Sequence, residues 1–168
     1  MILVNTGDLQ MMHQLFERYH VRIYTYCVKV TKNQLVSEDL TQETFFKVMK
    51  HRRSFNNNTF AAWIFTIARN LCFDYLKKEE KNASRTERLE SQAEQPNNDL
   101  ETTSDRIEHL RYTLDQLEPL EKELIILSRY EKLKYKEIAS VMNMSESAIR
   151  NRIHRALQKL RLQYFKAI

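Results

Sequence analysis

Glycine occurs once and proline twice in 168 residues, and that scarcity excludes most of the architectures open to a chain of this length. Tight β-hairpins rely on residues that accept positive φ, usually Asn-Gly or Gly-X pairs. A single glycine cannot supply a sheet with turns, whereas Leu, Glu, Lys, Arg and Gln, which favour helix, are plentiful. The fold class is therefore all-α. Cysteine is scarce too: Cys27 and Cys72 have no CxxC spacing, so neither a disulfide framework nor a zinc ribbon has a starting point, and both read as buried thiols. His13, His20 and Cys27 recur every seven residues. On a helix they would lie roughly 10 Å apart, beyond the ~2 Å bonds of a shared zinc, so no metal or cofactor is expected. No apolar run approaches the ~20 residues that span a bilayer, and the opening MILVNTGDLQ lacks a basic start and a small-residue cleavage pattern. A cytoplasmic protein without membrane insertion is expected. Also missing are a phosphate-cradling glycine loop, a nucleophile with its base and a metal-holding carboxylate cluster. The chain does not read as an enzyme and has no expected small-molecule substrate; Asp39 and Glu43, one helical turn apart, read as a solvated or partner-facing pair.

What is present is a hydrophobic fraction of 42%, enough for a core, and an excess of cations. The net charge of +5 favours a polyanionic partner only mildly, but its distribution is uneven. Residues 1–78 carry 11 Lys+Arg against 6 Asp+Glu, residues 79–104 carry 3 against 7, and residues 105–168 carry 13 against 9. The middle stretch has no aromatic residue and only isolated leucines, too little to fold alone. It is read as a flexible acidic linker between two small helical domains, 1–78 and 105–168, and as a random coil it would span roughly 25 to 30 Å.

In the first domain Leu9, Met12, Phe16, Tyr19, Ile23, Tyr26 and Val30 alternate spacings of three and four, one face of a long helix with Asp8 as N-cap. Ser37 precedes EDLTQETFFKVMK, predicting a second capped helix with Leu40, Thr44, Phe45 and Val48 inward. HRRSFNNNT breaks the periodicity. Phe60, Ile64, Ile67, Leu71 and Tyr75 then mark a third helix ending in Lys77 and Lys78, with Trp63 in the core, which completes a three-helix bundle.

The second domain reads as four helices. Ile107, Leu110, Leu114 and Leu117 make one stripe, and Pro119 suits the first position of the next helix, with Leu120, Leu124 and Leu127 inward. In KYKEIASVMNMSESAIRNRIHRALQKL the helical period of Ile138, Val141 and Met142 stops at Asn143, a residue that tolerates left-handed backbone. It resumes after Ser145, an N-cap with Glu146 behind it. Ile149, Ile153, Ala156 and Leu160 face inward, leaving Ser147, Arg150, Asn151, His154, Arg155 and Gln158 on the opposite face. This is a helix-turn-helix whose second helix suits the major groove: Arg can pair bidentately with guanine, and Asn or Gln with adenine. From Ser145 onward there are six Lys+Arg and one Glu; each phosphate they neutralise steepens the loss of affinity with salt by about 0.9 log unit per log unit.

EDLTQETFFKVMK, FAAWIFTIARNLCFDYLKK and LEPLEKELIILSRYEKLKYKEIASVMNMSESAIRNRIHRALQKLR, in this order around an acidic linker, resemble the extracytoplasmic-function (ECF) sigma factors, bacterial initiation subunits that retain regions two and four. The resemblance implies core RNA polymerase, promoter DNA and an anti-sigma factor as partners. It places core-polymerase contacts at Asp39, Gln42, Glu43 and Phe46. Minus-10 contacts fall at Arg52, Arg53, Asn56, Asn57, Asn58, Arg69, Asn70, Lys77 and Lys78, and minus-35 contacts at Ser145, Ser147, Arg150, Asn151, His154 and Arg155. The chain departs from the family where Ser147-Ala148-Ile149-Arg150 replaces a common Gly-Thr-Val-Lys/Arg and where Asn143 replaces a turn glycine, so promoter preference does not carry over. The alternative on residues alone is a self-sufficient dimeric helix-turn-helix regulator.

Overall fold

The computed structural model describes residues 9–55, 59–86, 113, 114 and 116–166. Every regular element among them is helical, and the chain divides into two compact units, Met1–Pro96 and Asn97–Ile168. None of the described helices is long and apolar enough to cross a membrane.

In the first unit α1 (Leu9–Thr31), α2 (Gln34–Lys50) and α3 (Phe60–Thr86) pack against one another, with a single 3-10 turn at Arg52–Ser54. Along the α1 stripe Tyr19, Ile23 and Tyr26 are buried and Cys27 joins them, while Phe16 remains 43% exposed. Tyr19 meets Phe60 edge-on at 5.1 Å between ring centroids, and Tyr26 meets Phe65 at 5.5 Å. Asp8, the expected cap of α1, lies outside the described residues.

The start of α2 differs from expectation. Lys32 adopts a left-handed conformation, φ 56°, and turns the chain early. Asn33 is the first residue in extended backbone, and its Oδ1 accepts the Val36 N–H at 3.1 Å. Asn33 is thus the cap, and Ser37 is a buried residue of the first turns whose hydroxyl donates to the Asn33 carbonyl at 2.6 Å. The inward set holds: Leu40, Thr44, Phe45 and Val48 are buried, with Thr41. Thr41 and Thr44 are tolerated there because their hydroxyls donate to carbonyls one turn back, at 2.6 and 2.7 Å.

The third helix also outruns its predicted end. It continues past Lys78 to Thr86, because the Glu, Lys and Ala that follow sustain helix and no proline or glycine stops it. The beginning of the expected linker is therefore helical, and its remaining residues, 87–104, lie outside the described set. Phe60, Ile64 and Leu71 are buried, Ile67 and Tyr75 half-buried. Trp63, expected in the core, is half-buried, its ring against Phe55 at 5.1 Å and Phe60 at 5.9 Å.

The second unit contains α4 (Pro119–Ile125), a π-helical turn (Ile126–Tyr130), α5 (Tyr135–Met142) and α6 (Glu146–Lys166). Pro119 occupies the first turn of α4 as expected. Ile107 and Leu110, on which a further helix was expected, are outside the described residues. Leu114 packs on a cluster of Leu117, Ile125, Ala156 and Leu160. Leu124, Leu127, Ile138, Ile149 and Ile153 are fully buried, each contributing about 1.5–3 kcal/mol by leaving water. Between α4 and α6, Lys159 Nζ meets Glu121 Oε1 at 2.7 Å, with Glu121 itself buried.

Candidate nucleic-acid and polymerase interfaces

The turn between α5 and α6 is built from a residue that replaces glycine. Asn143 sits at φ 52°, ψ 48°, the left-handed conformation its place in the sequence implied. The Met144 N–H donates to the Ala139 carbonyl at 3.0 Å, and the Asn143 N–H to Ser140 at 3.4 Å. This pair of bonds is a Schellman motif that closes α5. At the other end of that helix, the Glu137 carboxylate accepts the Lys134 backbone N–H at 2.8 Å. Ser145 then caps α6, its hydroxyl accepting the Ala148 N–H at 3.2 Å and lying 3.1 Å from the Ser147 hydroxyl. Ser145, predicted both as cap and as DNA contact, has a local role as the cap.

With the entry angle fixed, the faces of α6 separate as the period predicts. Ile149, Ile153, Ala156 and Leu160 are buried; Ser147, Arg150, Asn151, His154, Arg155 and Gln158 are exposed along one face. Arg150 Nη2 lies 3.2 Å from Glu146 Oε1, an exposed i,i+4 pair. In water such a pair is worth only a few tenths of a kcal/mol, so Arg150 can exchange Glu146 for a base edge at small cost.

On the first unit, Asp39, Gln42, Glu43 and Phe46 lie along one exposed face of α2. Glu43 pairs with Lys47 at 3.4 Å. Phe46 is 59% exposed and Met49 46%. Together with Met12, His13, Phe16, Gln42 and Phe45 they line an open groove of about 430 Å³ between α1 and α2. Sequence reasoning missed the α1 side of this groove. The signal was the Phe45-Phe46 pair, since adjacent helical residues point about 100° apart and the core takes only one of them.

The predicted minus-10 residues are less unified. Arg52 is half-buried, and its Nη1 donates to the Met49 carbonyl at 3.0 Å, closing the end of α2; Arg53 is exposed. Asn56, Asn57 and Asn58 lie outside the described residues. On α3, Asn70, Lys77 and Lys78 are exposed, while Arg69 is half-buried with its guanidinium 4.5 Å above the Phe73 ring. By spacing Asn70 and Lys77 share a face, and Lys78 and Arg69 stand roughly 90° to either side of it.

Residues 15–82 match the family described as Sigma-70 region 2, and residues 107–160 the family described as Sigma-70, region 4. The chain is 27% identical over 160 residues to the ECF RNA polymerase sigma factor SigM of Bacillus subtilis, covering 92% of this chain and 96% of that protein. It is 31% identical over 159 residues to the RNA polymerase sigma factor CarQ of Myxococcus xanthus, covering 92% and 90%. A solved structure, the sigma factor RpoE in complex with the anti-sigma factor NepR from Bartonella quintana, matches with a TM-score of 0.75 at 20% identity over 92% of this chain and 97% of that one. That likeness shows the fold.

Proposed function

This chain belongs to the ECF sigma factors, and from that premise we propose how its two units divide the start of transcription. It is an alternative sigma factor that directs initiation, with core RNA polymerase and promoter DNA as its partners. Its region 4, residues 105–168, reads minus-35 duplex through Arg150, Asn151, His154 and Arg155, with Ser147 near the helix start. Its region 2, within residues 1–78, docks on core polymerase through Asp39, Gln42, Glu43 and Phe46. The same unit receives the opened minus-10 strand through Arg53, Asn70, Lys77 and Lys78 together with the HRRSFNNNT loop; Arg52 and Arg69 support that surface from within. Sigma subunits bind DNA rather than catalyse, and this chain is read in the same way, as a cytoplasmic protein. The solved relative carries an anti-sigma factor, and a partner of that class is assigned here, covering the polymerase-docking surface.

The observation that carries the reading is the exposed face of α2, where acidic residues stand beside an aromatic ring that the unit does not bury. Family membership does not favour the self-sufficient regulator. The test is the affinity of the purified chain for core polymerase. Phe46→Ala and Glu43→Lys are expected to weaken it by roughly tenfold or more, as for a truncated interface anchor, with far-UV circular dichroism unchanged. Unchanged affinity in both variants refutes this docking face.

A further inference from the structure

Beneath these surfaces, the core of the first unit holds two thiols in contact. Cys27 on α1 and Cys72 on α3 are both fully buried, and the Cys72 thiol donates to Cys27 Sγ at 3.6 Å across 45 positions of sequence. Hydrogen bonding from Cys72 is the main influence holding the Cys27 thiol below the ordinary cysteine value; burial opposes it, and the Thr41 hydroxyl acts in the same direction as Cys72. Among the described residues of α1 and α3 the other buried ones are aromatic or aliphatic.

We propose that Cys27 and Cys72 form an intramolecular disulfide site, closed by a peroxide-class oxidant, that staples α1 to α3 through the core of the first unit. Cys27 is the attacking sulfur. Its thiolate cleaves the peroxide O–O bond, giving a sulfenic acid and, once the displaced hydroxide takes up the thiol's proton, one water. Cys72 then attacks the sulfenic sulfur, and the hydroxide it expels leaves as a second water with the Cys72 proton. Two thiols and one hydrogen peroxide thus become one disulfide and two waters, sulfur losing the two electrons that the O–O bond gains. The sulfur atoms must close from 3.6 Å to about 2.05 Å, a shift that side-chain torsion can share between two helices. Burial slows the first step, since the oxidant enters only as the bundle breathes. It also favours the second step, because the resolving thiol is already in contact and a further peroxide is excluded.

The experiment uses the reduced full-length chain, treated with graded hydrogen peroxide in native buffer and, as reference, in urea. After quenching, the chain is unfolded with an alkylating reagent and its tryptic peptides are weighed. The expected result is joint loss of both thiols to one intramolecular disulfide, reversed by dithiothreitol, in higher yield from the native than from the unfolded chain. The native product should stay monomeric, with a raised thermal midpoint for the first unit. In Cys27→Ala and Cys72→Ala the remaining sulfur should stop at sulfenic acid or a mixed adduct. Native protein whose two cysteines stay alkylatable, or which yields only sulfinic acid or intermolecular dimers, overturns the proposal, whether or not either variant folds.

Discussion

Three described residues other than glycine hold positive φ: Lys32 at 56°, Lys132 at 53° and Asn143 at 52°. Asparagine visits this region readily, but a lysine there places Cβ against the following carbonyl at a cost of about 1–2 kcal/mol. Lys132→Gly is therefore expected to stabilise the second unit by about 1 kcal/mol, after the greater entropy of glycine in the unfolded chain is deducted. Urea denaturation checks it, the midpoint rising with an unchanged slope. Legibility at this scale followed side-chain chemistry. Asn143 and Ser145 could be read because an amide at a left-handed position and a hydroxyl at an N-cap carry their function in their atoms. Lys32 and Lys132 could not, since a lysine in a left-handed turn is indistinguishable in sequence from any other exposed lysine. The shift of the cap from Ser37 to Asn33 follows from the same blindness: once Lys32 reverses the chain, Asn33 arrives first.

Helix faces were legible and helix limits much less so. Every residue assigned to the inner face of α6 is buried and every one assigned to the outer face is exposed, because a 3.6-residue period is a property of many residues together. The end of α3 depends on one local choice, whether a charged segment unravels, and no residue there forces it. The π-helical turn at Ile126–Tyr130 was invisible because one residue added to a turn leaves the apolar pattern nearly intact. One contact between elements yields a pH prediction. Lys159 is held above the ordinary lysine value of 10.5 chiefly by its hydrogen bond to Glu121, with burial the main opposing influence, the charges of Glu121 and Glu118 adding to the rise and that of Arg155 opposing it. A lysine raised on folding contributes stability that is complete below 10.5 and is lost as pH climbs through its folded value. The thermal midpoint of the second unit should therefore fall more steeply in alkali for the native chain than for Lys159→Met. Parallel curves would mean that the pair contributes nothing.

For the whole molecule, two compact units contain the matches to two Sigma-70 regions. Neither unit needs to bind DNA tightly if polymerase holds both on one promoter, because the second contact is then made at the effective concentration set by the first. This division of labour predicts different consequences for substitutions in the two units. Arg150→Ala should cost about 1–3 kcal/mol of minus-35 discrimination on duplex and little on a template already melted at minus-10, where Asn57→Ala should still impair capture of the strand. The most direct measurement is promoter opening, followed by a fluorescent base at minus-10, with the chain alone, with core polymerase alone and with both. The account predicts opening only when both are present, with Arg150→Ala rescued by pre-melting and Asn57→Ala not rescued. Specific binding and opening by the chain without polymerase, or equal behaviour of the two variants on the pre-melted template, would contradict it.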